Sequence, residues 1–191
     1  MIGLVESGGG VPRYQLKIIL ERSNPPIWRR VVVPGTIRLD RLHKVIQLAM
    51  GWENCHLHKF TAGRDSYGIP DPDFDSDVLD ERRYTLQNLV TKIGQRFGYQ
   101  YDFGDNWEHE VQFEQMLSAD PAFKHPACLD GENACPPEDC GGIHNYYDLL
   151  EAIKNPQHEQ HVQLKEWIGG AWDPAAFDLK AANRLLKRVK V

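Results

Sequence analysis

Nowhere in the chain do about 18 apolar residues run together, so no segment reads as a membrane-spanning helix. The glycine-rich signatures GxGxxG and GxxxxGKS/T are missing, as is the nucleophile elbow GxSxG, which removes the usual dinucleotide, P-loop and α/β-hydrolase readings. His158 and His161 stand too close together to make HExxH, so a zincin is excluded on spacing. A cationic excess is lacking too. Lys and Arg number 22 against 27 Asp and Glu, and a formal charge of -5 argues against non-specific nucleic-acid binding by the whole surface. The opening MIGLVESGGGVPR has neither the basic start nor the apolar core of a signal peptide. The expectation is a cytoplasmic protein whose four cysteines, none in a CxxC pair, are reduced thiols or ligands.

What is present reads as one α+β unit. Residues 1–13, with three consecutive glycines, cannot bury enough surface to offset ordering and read as a disordered tail. Residues 14–191 read as a single domain: a sheet part 14–118, a cysteine loop 119–144 and a helical part 145–191. Tyr14, Leu16, Ile18 and Leu20 alternate with polar residues, as a half-buried strand requires, and SNPP turns the chain into a second strand from Ile27 to Val33. Leu39, Leu42, Val45, Ile46, Ala49 and Met50 recur at helical spacing and Gly51 closes that helix. A third strand is expected over His56–Thr61, running into a loop at Gly63. Thr85 caps a short helix. Two strands flank the turn Gly104–Asn106, with Trp107, His109, Val111 and Phe113 on the core face and Glu108, Glu110, Gln112 and Glu114 opposite. Three late helices begin near Asn145, before Leu164 and after Asp178. This order suggests a mixed or antiparallel sheet, β-grasp-like in its succession of elements, with one packed helix and a helical C-terminal part.

PPIWRR (25–30), GWENCHLHKF (51–60), YQYDFGDNWEHEV (99–111), CLDGENACPPEDCGG (128–142) and GGAWDPAAFD (169–178) resemble, in order, the successive signatures of the Ri-plasmid ORF-3-like proteins. The resemblance spans nearly everything after residue 13. It implies a cytosolic protein of a bacterial or archaeal family, some of whose members carry a transposon-resolvase label. This chain does not support that label, because none of its five serines sits in an arginine-rich nucleophile setting.

Two constellations carry candidate chemistry. Cys128, Cys135 and Cys140, near His125 and His144, suit zinc by ligand type, but six and four intervening residues make no knuckle. The same stretch reads as a rigid clasp. Pro136-Pro137 restricts it, Gly141-Gly142 supplies unusual backbone angles, and Glu138 and Asp139 accept backbone hydrogen bonds near the next helix start. On that reading no metal is required. His56, His58, Asp102 and Asp105 form a second possible metal or acid/base group. His56 and His58 share one face of their strand, which favours it; strand parity weighs against it, with His109 facing the core and Asp102 opposite the aromatics of its own strand. The metal candidates are therefore Cys128, Cys135, Cys140, His56 and His58, with zinc the ion they suit.

Asp71–Glu81 resembles the start of an EF-hand loop but has Ser76 at the glycine position and Arg82 at the glutamate position, so it reads as a solvated acidic loop. Lys180, Arg184, Lys187, Arg188 and Lys190 give the last helix a basic face. With no complete catalytic constellation, the expected function is a non-enzymatic binding or adaptor module with a protein partner. The alternatives are a metal-dependent hydrolase using His56, His58 and nearby acids, and a DNA-associated accessory protein.

Overall fold

The computed structural model describes residues 10–71, 77–169 and 172–190. Most of the expected tail (1–9), the middle of the acidic loop (72–76) and Gly170 lie outside the described residues.

Eight strands form one mixed sheet: β1 (Arg13–Leu20), β2 (Trp28–Pro34), β3 (His58–Ala62), β4 (Asp65–Gly68), β5 (Val78–Asp80), β6 (Arg96–Tyr101), β7 (Trp107–Leu117) and β8 (Ala127–Glu132), in the order β5-β4-β3-β6-β7-β1-β2-β8. The β4–β5 pair is parallel and every other pair is antiparallel. The alternation in the sequence is what sets the two faces. Tyr14, Leu16, Ile18 and Leu20 of β1 and Trp107, His109, Val111 and Phe113 of β7 are buried, while Glu108, Glu110, Gln112 and Glu114 remain partly exposed on the opposite face. There Arg30 grips Glu114 in a two-pronged pair at 2.6 and 3.0 Å.

Helix α1 (Leu39–Met50) covers the buried face, and Gly51 ends it in the left-handed region at φ 111°, donating to the Gln47 carbonyl at 2.9 Å. The remaining helices are α2 (Leu86–Leu89), α3 (Gly142–Lys154), α4 (His161–Trp167) and α5 (Leu179–Leu186), and α5 packs on α1 and β8. One cluster of buried side chains runs from Leu16 and Phe113 through Leu42 and Trp52 to Tyr146 and Leu186. Among the described residues no helix is long and apolar enough to cross a membrane.

Four expectations need correction. The loop after Gly63 contains β4, which pairs with both β3 and β5. The cysteine stretch opens on a strand, β8, whose pairing with β2 puts Cys128 opposite Val31. The helix after it starts at Gly142 rather than at Asn145. Finally, β3 begins at His58, so His56 belongs to the preceding loop and period-two parity does not apply to it.

The cysteine stretch is fastened by a residue of PPIWRR. Arg29, 1% exposed, donates all five N–H groups to carbonyls: Ala49 (2.9 Å) and Met50 (3.3 Å) at the end of α1, Trp28 and Glu132 (2.8 Å each), and Asn133 (2.8 Å). Phe177 stacks on the guanidinium at 3.9 Å. A cation at a helix C-terminus also complements the dipole. One buried side chain thus ties β2, α1 and the chain leaving β8 together.

Candidate functional site

The loop 51–57, the turn after β6 and the residues leading into α3 meet where β3 begins and β6 ends, at one end of these interior strands. Burial of Trp52 against Tyr101 and Trp107, both with ring centroids at 5.3 Å, fixes the first loop at one end. Asn54, at φ 58°, accepts His43 Nε2 on its side chain at 2.5 Å and donates its amide to Gln47 Oε1 at 2.9 Å. Tyr99 completes this buried network: its hydroxyl lies 2.8 Å from both His43 Nδ1 and Gln47 Nε2. The network presents Cys55 and His56 on a rigid support.

Asp102 sits just beyond β6 at φ 53°, so its backbone leaves the strand geometry and the parity argument fails for it as well. It is 7% exposed; Oδ1 accepts the Gly104 amide at 2.9 Å and Oδ2 lies 3.6 Å from His56 Nε2. From the far side come Glu138 and Asp139. Glu138 Oε1 accepts the Glu53 amide at 2.7 Å and the Tyr101 hydroxyl at 3.0 Å, while Oε2 lies 3.9 Å from His56 Nε2. Asp139, at φ 56°, brings Oδ1 to 3.0 Å of the same nitrogen.

Two of these atoms, His56 Nε2 and Glu138 Oε2, are buried with no hydrogen-bond partner. The 3.0 Å approach of Asp139 is therefore off the line a ring N–H would need. Buried polar atoms are almost always paired, because an unmade bond costs roughly 1 to 3 kcal/mol. A cation between the two orphans would satisfy both at once. The separations of 3.0 Å to Asp139 and 3.6 Å to Asp102 from Nε2 bracket the edge of about 3.3 Å expected between ligands of a tetrahedral ion with bonds near 2.0 Å, while Glu138, at 3.9 Å, stands farther out. His56, Asp102 and Asp139 form one group whose ligand atoms all lie within 4.8 Å, and Cys55, His56 and Glu138 form another. The outer contacts would suit a metal, since Gly104, Glu53 and Tyr101 each hold a carboxylate by the oxygen other than the one nearest His56. Burial, then the Cys55 thiol and the Glu138 carboxylate, push the Tyr101 hydroxyl well above its ordinary pKa, so it remains a donor.

The other sequence candidates are placed elsewhere. His58 Nε2 pairs with Glu81 at 2.7 Å, both side chains buried, and its ring stacks on His43 with centroids 3.4 Å apart. Asp105 accepts the Gly141 amide at 2.9 Å, ahead of α3. The three cysteines are not gathered: among the described residues, neither group able to hold an ion includes Cys128, Cys135 or Cys140. The Cys128 thiol donates to the Asp130 carbonyl at 3.4 Å. Burial raises the Cys128 and Cys135 thiols above their ordinary range, and burial with Asp105 lifts Cys140 to about 12. His56 alone of the five metal candidates lies in the cluster. Glu138 and Asp139 were legible only as hydrogen-bond acceptors. Glu138 does accept a backbone amide, but from Glu53, 85 residues away, and no local pattern marks such a pairing.

This geometry defines an α+β protein with a histidine and carboxylate cluster at the strand ends of one sheet. The chain belongs to the plasmid pRiA4b ORF-3-like protein family, whose model matches residues 12–181. It is 41% identical over 172 residues to the uncharacterized protein y4hQ of Sinorhizobium fredii, covering 89% of this chain and 88% of that one. It is similar to the crystal structure of MM3350 from Methanosarcina mazei Go1, a protein of unknown function, with a TM-score of 0.83 at 34% identity, covering 90% and 97% of the two chains. Neither name states an activity.

Proposed function

We propose that the protein is a cytoplasmic binding module organised around a divalent-cation site of His56, Asp102, Glu138 and Asp139, with a protein partner. The observation that carries this reading is the pair of buried, unpartnered atoms His56 Nε2 and Glu138 Oε2 facing each other. Imidazole with carboxylates suits zinc first, and the Cys55 thiol beside His56 and Glu138 strengthens that preference. The ligands come from three separate parts of the chain, so a bound cation would stabilise the fold it joins. A hydrolase built on His56 and His58 together loses support, because the second imidazole is committed to Glu81.

The test is metal content and calorimetric zinc titration of protein purified without an affinity tag. One zinc per chain, a chelator-induced fall in melting temperature, and loss of both in His56→Ala and Glu138→Gln are expected. The second variant keeps the acceptor for Glu53 and Tyr101 while removing the charge. Absence of saturable divalent binding in the native protein would refute the reading.

A further inference from the structure

Beside the cation site lies a cleft of about 550 Å³, within the roughly 300 to 1,000 Å³ usual for ligand pockets, and Asp139 belongs to both. One wall is α3, where Asp148 and Glu151 face the opening. The other is the turn after α3 and α4, which contribute His158, Glu159 and Trp167. Four carboxylates line the cleft and no lysine or arginine does.

The second wall is unusual in its packing. Helix α4 has seven residues and not one of them is buried. Short helices hold together mainly through the apolar face they bury. On α4 the residues that would serve, Leu164 and Trp167, line the cleft, and Trp167 is 50% exposed. A flat indole among carboxylates is the combination that recognises an ammonium or guanidinium group, through the ring face and charge pairing together. The sign of the charge excludes the opposite ligand class. Away from the Asp139 end, where a bound ion would sit, a phosphate or carboxylate entering here would meet Asp148, Glu151 and Glu159, with His158 the one lining side chain able to take up a positive charge.

We infer that this cleft is the ligand site of the module and takes an extended chain carrying two or more ammonium or guanidinium groups, laid against Trp167 and reaching toward Asp139. The inference rests on the cation-site reading for the meaning of its Asp139 end; the charge and the indole stand apart from it. Such a chain is found in free polyamines and in lysine- and arginine-rich peptide segments.

Calorimetric titration of the full chain, saturated with zinc, separates these sources. The probes are spermidine and a blocked tri-arginine peptide, with triglycine and pyrophosphate as controls. Saturable binding of spermidine or of the peptide is expected, and whichever binds more tightly names the source. Affinity should fall by about tenfold as salt rises from about 50 to about 500 mM. It should also fall by about tenfold in the Glu151→Gln/Glu159→Gln double variant and in Trp167→Ala, whose side chains are exposed enough that folding is retained. Glu108→Gln/Glu110→Gln on the open sheet face should leave it unchanged. No binding of either cation, equal binding in the cleft variants, or saturable binding of pyrophosphate would overturn the proposal. Zinc binding measured on the same samples keeps the two readings apart. Zinc bound without cation affinity defeats the cleft alone, and cation affinity without zinc defeats the metal site alone.

Discussion

Acid should unfold this protein through two imidazoles well before its carboxylates titrate. His109 is 1% exposed, with Nδ1 near the Trp107 and Tyr99 carbonyls at 3.0 and 3.2 Å and Nε2 accepting the Trp52 indole N–H at 3.4 Å. Every ring position is satisfied only in the neutral form, and a proton on Nε2 would face another donor. Burial lowers its pKa to about 4. His43 lies between Tyr99 and Asn54, and burial followed by the neighbouring His58 lowers its pKa to about 3. Both folded values lie below the ordinary value near 6.5, so the unfolded chain binds more protons as pH falls. The stability these neutral rings confer is complete above about pH 6.5. It is lost progressively until about pH 4 for His109 and about pH 3 for His43. At pH 5 each ring has forfeited roughly 2 kcal/mol, about 4 together, which is a large part of the 5 to 15 kcal/mol that a domain usually has. Urea unfolding at half-unit steps from pH 8 to pH 4.5 measures this. The slope should approach about 2.7 kcal/mol per pH unit near pH 5 and fall to about half of that in His109→Gln. A free energy that is flat between pH 7 and pH 5, or a slope unchanged in the variant, would refute the argument.

Arg29→Met keeps an apolar stem but leaves five carbonyls without their donor. Set against the relief of no longer burying a charge, a net loss of about 3 to 5 kcal/mol is expected by urea denaturation, and a loss under about 1 would show that water replaces the guanidinium. Trp107→Ala should cost about 3 to 5 kcal/mol, because the ring is 1% exposed and packs on Trp52; a loss near that of a surface substitution would place the ring outside the cooperative core.

The sequence was readable where one period governs many residues. The alternation through Tyr14–Leu20 and Trp107–Phe113, the helical stripe of Leu39–Met50 with its terminal Gly51, and the helix begun after Asp178, whose side chain accepts the Ala181 amide at 2.9 Å, each follow a rule that neighbours reinforce. Strands β4 and β8 escaped because four and six residues rich in Gly, Asp and Ser gain their order from pairing with distant strands. The site escaped for a related reason. His56 and Asp102 were recognisable as ligand types, but each lies one or two residues outside a strand, His56 in a loop and Asp102 in the left-handed region, so the parity rule does not reach them. Nothing in PPIWRR marked Arg29, because a fully buried arginine bonded only to carbonyls has no acidic companion in sequence to reveal it.

Three corners of the cluster, Asn54, Asp102 and Asp139, stand at φ 58°, 53° and 56°, where L side chains are disfavoured and glycine is at ease. Asp102 and Asp139 are also two of the four proposed ligands. A chain refined for foldability alone would drift toward glycine at 102 and 139, exchanging a carboxylate for about a kilocalorie of backbone relief. The two aspartates therefore mark where fitness and folding pull in opposite directions. Among homologues that have abandoned the site, glycine is the residue to look for at those two corners.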